Sequence, residues 1–208
     1  MVLRNWIGVV VVWMGDGWVV WWVGVLVSKP LLFLDVDGVL NPADPRPAAD
    51  FDVHTLCGFR VLLSRRHGEW LRELAEVYEL CWATTWEEDA NVHIAPVLGL
   101  PVLPVVRFAG YRRQPGDPRV RLMELFSGAK WVPLLRYADG RPFAWVDDVM
   151  PFRLVRNSLV RRDRLLMAID GGQGLERHHV ERLLAKPPRR GRVRELAGRG
   201  RGGSGNRP

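Results

Sequence analysis

The sequence predicts an α/β fold with a mainly parallel sheet. Residues 31–34 (LLFL) and residues 78–83 (YELCWA) are short apolar runs, which is typical of parallel strands that are buried on both faces. Between them, apolar residues recur at helical spacing over residues 69–77, which predicts an amphipathic helix that covers the sheet. With 208 residues, of which 48% are hydrophobic, the chain is long enough to bury one full core.

Two acids, Asp35 and Asp37, come directly after the first predicted strand. An extended chain alternates its side chains, so both acids share one side of the backbone while Val36 turns towards the core. A buried carboxylate without a partner is costly, so we expect both acids at the strand's exit, where a cation and water reach them. Oxygen ligands of this kind suit Mg²⁺, and Gly38 permits a tight turn. The competing interpretation is an ordinary strand end that runs into a turn.

A hydroxyl residue follows the second predicted strand. A Ser or Thr at this position can donate a hydrogen bond to a phosphoryl oxygen without adding charge. We predict that Thr84 is this donor, with Thr85 as the alternative, because one residue of register reverses the face that a side chain occupies. The competing interpretation is that Thr is simply a good strand residue.

A lysine and a second acidic pair occur later in the chain. Lys130 precedes a predicted helix over residues 131–137, and a strand predicted over residues 142–146 ends in Asp147 and Asp148. Two adjacent carboxylates after a buried strand again need a cation or solvent. A lysine near them can hold a carboxylate and a phosphate together by charge. Taken singly, Lys130 also fits a surface position.

The remaining elements continue the alternation of strands and helices. Prolines predict a loop over residues 41–52, and an apolar run predicts a hairpin strand over residues 59–63. A third strand is expected over residues 102–106, at a sheet edge because Pro104 cannot donate to a ladder. Further predictions are helices over residues 122–126 and 175–184, a helix start at residues 87–91 and a strand over residues 164–169.

Both ends of the chain differ in composition from the predicted domain, residues 29–185. Residues 1–28 are rich in Trp, Val and Gly, and three interpretations compete: a start-site artefact, a membrane or export segment over residues 6–27, or an extra strand or hairpin. Residues 186–208 hold eight Lys or Arg against one Glu, which accounts for the whole net charge of +7. We predict a disordered basic tail there, which could hold nucleic acid by charge.

The two cysteines, Cys57 and Cys81, form neither a disulfide framework nor a zinc-ligand spacing. A reducing compartment is therefore the default, and we expect a cytoplasmic location. Membrane association through residues 6–27 is the alternative.

Three motifs, DVDGVLNP, WATTWEEDAN and FAWVDD, follow one another across residues 31–148, with Lys130 between the second and the third. In this order the chain resembles the haloacid dehalogenase-like (HAD) superfamily of phosphatases, and it looks most like the HAD domain of Swiss Army Knife RNA repair proteins. The resemblance implies a HAD-like Rossmannoid fold, a three-layer sandwich with a mainly parallel sheet. A response-regulator receiver also uses Asp, Thr, Lys and Mg²⁺, but its acidic pair comes first and its phosphoacceptor lies in mid-chain, so the order of motifs here excludes it.

The resemblance also implies a role for each motif residue. Asp35 would be the nucleophile that forms an aspartyl-phosphate, and Asp37 the general acid and base. Thr84 and Lys130 would steady the phosphoryl oxygens. Mg²⁺ is the implied cofactor, with ligands from Asp35, the backbone carbonyl of Asp37 and Asp147, and with Asp148 as a supporting acid that could exchange roles with Asp147.

The expected activity is Mg²⁺-dependent hydrolysis of a phosphomonoester. Only 46 residues separate Asp37 from Thr84, and 45 separate Thr84 from Lys130, which leaves room for a minimal cap or none. An open site admits large phosphorylated substrates, such as a nucleic-acid end or a phosphoprotein. The alternative is a non-catalytic HAD-like module that binds nucleic acid or sits at a membrane.

Overall fold

The structure is a computed structural model that describes residues 9–14, 17–22, 28–46, 48–108, 128–150 and 162–189. Its strands, in chain order, are β1 (Val9–Met14), β2 (Gly17–Trp22), β3 (Leu31–Leu34), β4 (Asp52–Leu56), β5 (Phe59–Leu63), β6 (Glu79–Trp82), β7 (Phe143–Asp147) and β8 (Arg164–Ala168). Its α-helices are α1 (Arg65–Ala75), α2 (Ala95–Leu98), α3 (Gly128–Ala138) and α4 (Arg177–Ala185).

Four of these strands form one parallel sheet in the spatial order β6-β3-β7-β8. The strand that leads into Asp35 is therefore an inner strand. In register, Leu34 lies between Trp82 of β6 and Val146 of β7. Because parallel strands end at the same edge, the residues that follow β3, β6 and β7 meet there.

Helices cover both faces of this sheet, because its strands are apolar on both sides. On one face, Leu32 and Leu34 pack into a core that includes residues of α1, α2 and α4. On the other face, Leu31 and Phe33 pack into a second core with residues of α3. The predicted α/β fold, a three-layer sandwich with a parallel sheet, is confirmed.

Several predicted elements differ in detail from the structure. Helix α1 begins at Arg65, four residues before the predicted start. Residues 102–106 do not form a strand, because only Val105 bridges to the edge of β6, at Trp82. Lys130 lies within the first turn of α3 and not before it. The predicted helix over residues 122–126 and most of the predicted tail fall outside the described residues.

The hairpin of β4 and β5 stands where a cap would be inserted, in the segment between Asp37 and Thr84. It is an antiparallel pair joined by Cys57 and Gly58, which both have positive φ values of 49° and 78°. Residues 59–63 were the predicted hairpin strand, and this prediction is confirmed. The hairpin is a small cover, in keeping with the minimal cap that the short spacing predicts.

The apolar segment near the start of the chain contains a second hairpin. Strands β1 and β2 pair antiparallel, with Trp13 opposite Trp18. This pairing corresponds to the strand or hairpin interpretation of residues 1–28. Within the described ranges, no helix has the length and apolar character needed to cross a membrane.

A buried histidine, His67, joins α1 to the segment before α4. His67 is 1% exposed, and its ring packs against Phe51 and Trp70. Nε2 lies 3.0 Å from the carbonyl oxygen of Leu175, so it carries the hydrogen and donates. Burial lowers the pKa of His67 from 6.5 to about 4, because the charged imidazolium loses its hydration.

This shift predicts a stability that falls in acid. Below about pH 6.5 the unfolded chain binds a proton at residue 67, whereas the folded chain binds it only below about pH 4. His67 therefore lowers the free energy of unfolding by roughly 3 kcal/mol as the pH falls from 7 to 4. We expect His67→Gln to remove this part of the pH dependence in denaturant titrations. His93→Gln, on a partly buried histidine, is the control and should keep it. Parallel curves for wild type and His67→Gln would contradict the assignment.

Candidate active site

The chain turns sharply between strand β3 and the hairpin of β4 and β5. Backbone N–H groups of Leu40 and Asn41 both donate to the carbonyl oxygen of Val36, at 2.8 Å each. Gly38 has φ +72°, and a side-chain carbon on it would lie 2.2 Å from Oδ2 of Asp148. Only glycine therefore allows both the turn and the close approach of that carboxylate.

Lys130 joins the acids from two strands. Its Nζ donates to Oδ2 of Asp35 and, at 2.8 Å, to Oδ2 of Asp147. The ammonium and both carboxylates are buried, at 7%, 6% and 1% exposure. Helix α3 therefore places a cation between the ends of β3 and β7, as the motif order leads one to expect.

Burial and charge shift the pKa values of this cluster in defined directions. Burial raises the pKa of Asp35 to about 7, although the ammonium of Lys130 acts to lower it. Burial raises the pKa of Asp147 as well, again against Lys130. For Lys130, burial acts to lower the pKa, but the charges of Asp35 and Asp147 outweigh it and the pKa is raised. The lysine is thus held as a cation, whereas burial favours the neutral form of each acid.

Carboxylate oxygens of Asp35, Asp147 and Asp148 all lie within 4.8 Å of one another. When all three are ionised, these acids carry three negative charges against the one positive charge of Lys130. Hard oxygen donors with a net negative charge fit a divalent cation such as Mg²⁺. The cluster therefore fits the metal that the resemblance implies.

The two acids of the late pair occupy different environments. Asp147 accepts from Lys130, from Nε1 of Trp145 at 3.2 Å and, through Oδ1, from the N–H of Val149 at 3.0 Å. Protein donors thus contact both of its oxygens. Asp148 is half-buried and lies against the backbone of Gly38. Asp147 and Asp148 both line the cavity and both belong to the three-acid cluster, so the exchange of roles between them stays a prediction.

Asp37 is held away from the metal cluster by two side-chain donors. Nδ2 of Asn41 donates to Oδ1 at 2.9 Å, and Nε1 of Trp86 donates to Oδ2 at 3.1 Å. The side chain of Asp37 is not part of the three-acid cluster, which fits a role in proton transfer.

A cavity of about 440 Å³ opens over these residues. Thr85 lines it, whereas Thr84 does not and is fully buried, with Oγ1 accepting weakly from the N–H of Trp86 at 3.4 Å. The structure therefore gathers the predicted residues at one cavity with Thr85, the alternative, in place of Thr84. The cavity is lined by Asp35, Asp37, Gly38, Asn41, Pro42, Ala43, Arg60, Leu62, Thr85, Lys130, Asp147, Asp148, Val149 and Gly171.

Sequence reasoning missed three side chains of this site. Asn41 and Trp86 hold Asp37, and Arg60 lines the cavity from the hairpin. Asn41 and Trp86 stand inside the motifs DVDGVLNP and WATTWEEDAN, so proximity to the motif residues was an available signal. Arg60 stands in no motif, and only the folding of the hairpin over the sheet brings it there.

Comparison with known proteins gives one match. Residues 31–180 match the family described as the HAD domain in Swiss Army Knife RNA repair proteins. Neither the search of curated proteins nor the search of solved structures found a match. The family match covers more than half of the chain and indicates a phosphohydrolase in general terms. The chain therefore belongs to the family of HAD domains in Swiss Army Knife RNA repair proteins.

Proposed function

We propose that this protein is a Mg²⁺-dependent phosphatase that removes a terminal phosphate from RNA through an aspartyl-phosphate. The observation that carries the proposal is the buried ammonium of Lys130 between Asp35 and Asp147, at a cavity that Asp148 also lines. A nucleophilic carboxylate beside a phosphate dianion needs such positive charge to offset repulsion.

Asp35, Asp147 and Asp148 are the side chains that would hold the metal, together with the backbone carbonyl of Asp37. Asp147 also orients Lys130, because its Oδ2 accepts from Nζ of the lysine. When bound, Mg²⁺ would neutralise negative charge shared by the acids and the phosphate.

Asp35 supplies the nucleophile. Its carboxylate oxygen forms a bond to phosphorus while the bond from phosphorus to the leaving oxygen breaks, which gives an aspartyl-phosphate. Water then attacks phosphorus, inorganic phosphate leaves, and the carboxylate of Asp35 is restored. Thr85 and Lys130 donate to the phosphoryl oxygens in both steps.

Asp37 moves the proton. It gives a proton to the leaving oxygen in the first step and takes one from the attacking water in the second. Asn41 and Trp86 hold its two oxygens at hydrogen-bond distance, so the carboxyl group is positioned before substrate arrives.

RNA is the proposed substrate because of the family and the form of the site. The matching family is named for RNA repair proteins. Over the described part of the chain between Asp37 and Thr84, only the small hairpin of β4 and β5 covers the sheet edge. A site with so small a cover suits the end of a polymer.

The test is phosphate release by the full-length protein from para-nitrophenyl phosphate and from an oligoribonucleotide with a 3′-phosphate. We expect release with Mg²⁺, loss of activity by at least about a hundredfold with EDTA, and recovery when Mg²⁺ is restored. A folded protein that binds Mg²⁺ and releases no phosphate from either compound would contradict the proposal and favour a binding module.

Trp86→Phe is expected to lower kcat by about tenfold, because the ring is kept while the N–H donor to Asp37 is lost. The loss should be larger for phenyl phosphate than for para-nitrophenyl phosphate, since a poor leaving group depends more on the general acid. Trp131→Phe, on helix α3, is the control. Equal losses on both compounds would point to a structural role for Trp86 instead.

A further inference from the structure

Arg60 is a cation at the mouth of the cavity. It stands on β5, where side chains alternate between two faces. Val61 and Leu63 point into the core, whereas Arg60 and Leu62 line the cavity. Arg60 is exposed, while Asp35, which forms the floor, is buried.

The cations of the cavity differ in their partners. Lys130 is engaged by Asp35 and Asp147. Arg60 is the other cation among the described residues that line the cavity, and within those residues it takes part in no ion pair or side-chain hydrogen bond. A guanidinium that has no acid partner in the described part of the chain, at the mouth of a cavity that carries four carboxylates, is available to a ligand anion.

The strand that carries Arg60 is fixed to the reacting groups. The backbone N–H of Leu62 donates to Oδ1 of Asn41 at 2.8 Å. Nδ2 of the Asn41 side chain in turn donates to Oδ1 of Asp37. Arg60 itself pairs with Thr55 in the ladder of the hairpin. The backbone of Arg60 is thus held at a set position relative to Asp37.

We propose that Arg60 binds a second anionic group of the substrate, the phosphodiester next to the terminal phosphate. This inference rests on the proposed function. The terminal phosphate must reach Asp35, where Lys130 and Thr85 supply donors at the buried floor. Arg60, at the exposed mouth, then meets the neighbouring phosphate, which a guanidinium binds through two parallel hydrogen bonds. Arg60 thus selects a polymer end over a lone phosphate ester.

The test uses two 2′-O-methyl dinucleotides with a 3′-phosphate, identical except for a phosphodiester or an uncharged methylphosphonate linkage. Dissociation constants are measured by calorimetry with Mg²⁺ in the full-length Asp35→Asn protein, which prevents turnover. We expect the charged linkage to bind about tenfold more tightly. Adding Arg60→Gln should bring the two constants together. Adding Arg136→Gln, which removes an exposed arginine of α3, should keep the tenfold ratio.

Three outcomes would overturn the inference: equal binding of the two dinucleotides in the Asp35→Asn protein, a ratio that survives Arg60→Gln, or no binding of either compound. Binding does not depend on turnover. Failure of the proposed function is a separate result, an absence of Asp35-dependent phosphate release by the protein with Asp35 intact.

Discussion

The Asp35→Asn variant is expected to lose phosphatase activity on para-nitrophenyl phosphate by at least about a thousandfold in kcat/KM. An amide oxygen is a much weaker nucleophile than a carboxylate, and the change also removes a charged metal ligand. The remaining acids of the cavity have other proposed roles. Asp37 is held by Asn41 and Trp86, and Asp147 is held by Lys130.

The variant itself should fold, so that lost activity can be ascribed to chemistry. Lys130 keeps its 2.8 Å hydrogen bond to Asp147 when residue 35 is an amide. Circular dichroism and thermal unfolding should therefore resemble those of the wild type. Asp139→Asn changes an exposed acid in the same way, at a turn with φ 44° that Asn accepts, and it should retain full activity. Retention of more than one-tenth of the activity by Asp35→Asn would rule out the aspartyl-phosphate.

The Lys130→Met variant is expected to lose about 3–5 kcal/mol of unfolding free energy at neutral pH, together with at least about a hundredfold in activity. Methionine fills a similar volume but carries no charge. The carboxylates of Asp35 and Asp147 would then lie buried without their cation, and burial alone raises their pKa values.

The sign of the pH dependence follows from those raised pKa values. In Lys130→Met the folded protein binds protons at these acids at a higher pH than the unfolded chain does, so stability falls as the pH rises through the acid range towards neutral. Chemical denaturation at pH 5 and pH 8 should therefore show the larger deficit at pH 8. Lys186→Met, an exposed control, should change neither stability nor activity. A Lys130→Met protein as stable as wild type at pH 8 would contradict the role of the buried ion pairs.

The order of strands and acids could be read from the sequence because burial leaves a local pattern. Residues 31–34 are uniformly apolar since both faces of β3 are covered, and Asp35 interrupts the run where the strand meets the cavity. The same reasoning placed Asp147 and Asp148 after β7. Each of these predictions needed only residues within one short window.

The helix and strand limits were less accurate where the pattern was weak. Helix α1 begins at Arg65, whereas the predicted helix began at residue 69. The first turn was missed because its residues carry no apolar repeat that would mark it as helical. Residues 102–106 have the composition of a strand, but Pro104 has no N–H to donate, and the segment makes only a bridge at Val105.

The sequence by itself determined the α/β fold, the parallel sheet and the acids, threonine pair and lysine that gather at one sheet edge. Tertiary structure alone placed Thr85 and not Thr84 at the cavity, paired Lys130 with Asp147, and brought Trp86 to Asp37 and Arg60 to the cavity mouth. The physical reason is distance along the chain. Burial and helical or strand spacing act over a few residues, whereas Lys130 meets Asp35 across 95 positions and Trp86 meets Asp37 across 49, through contacts that only packing establishes.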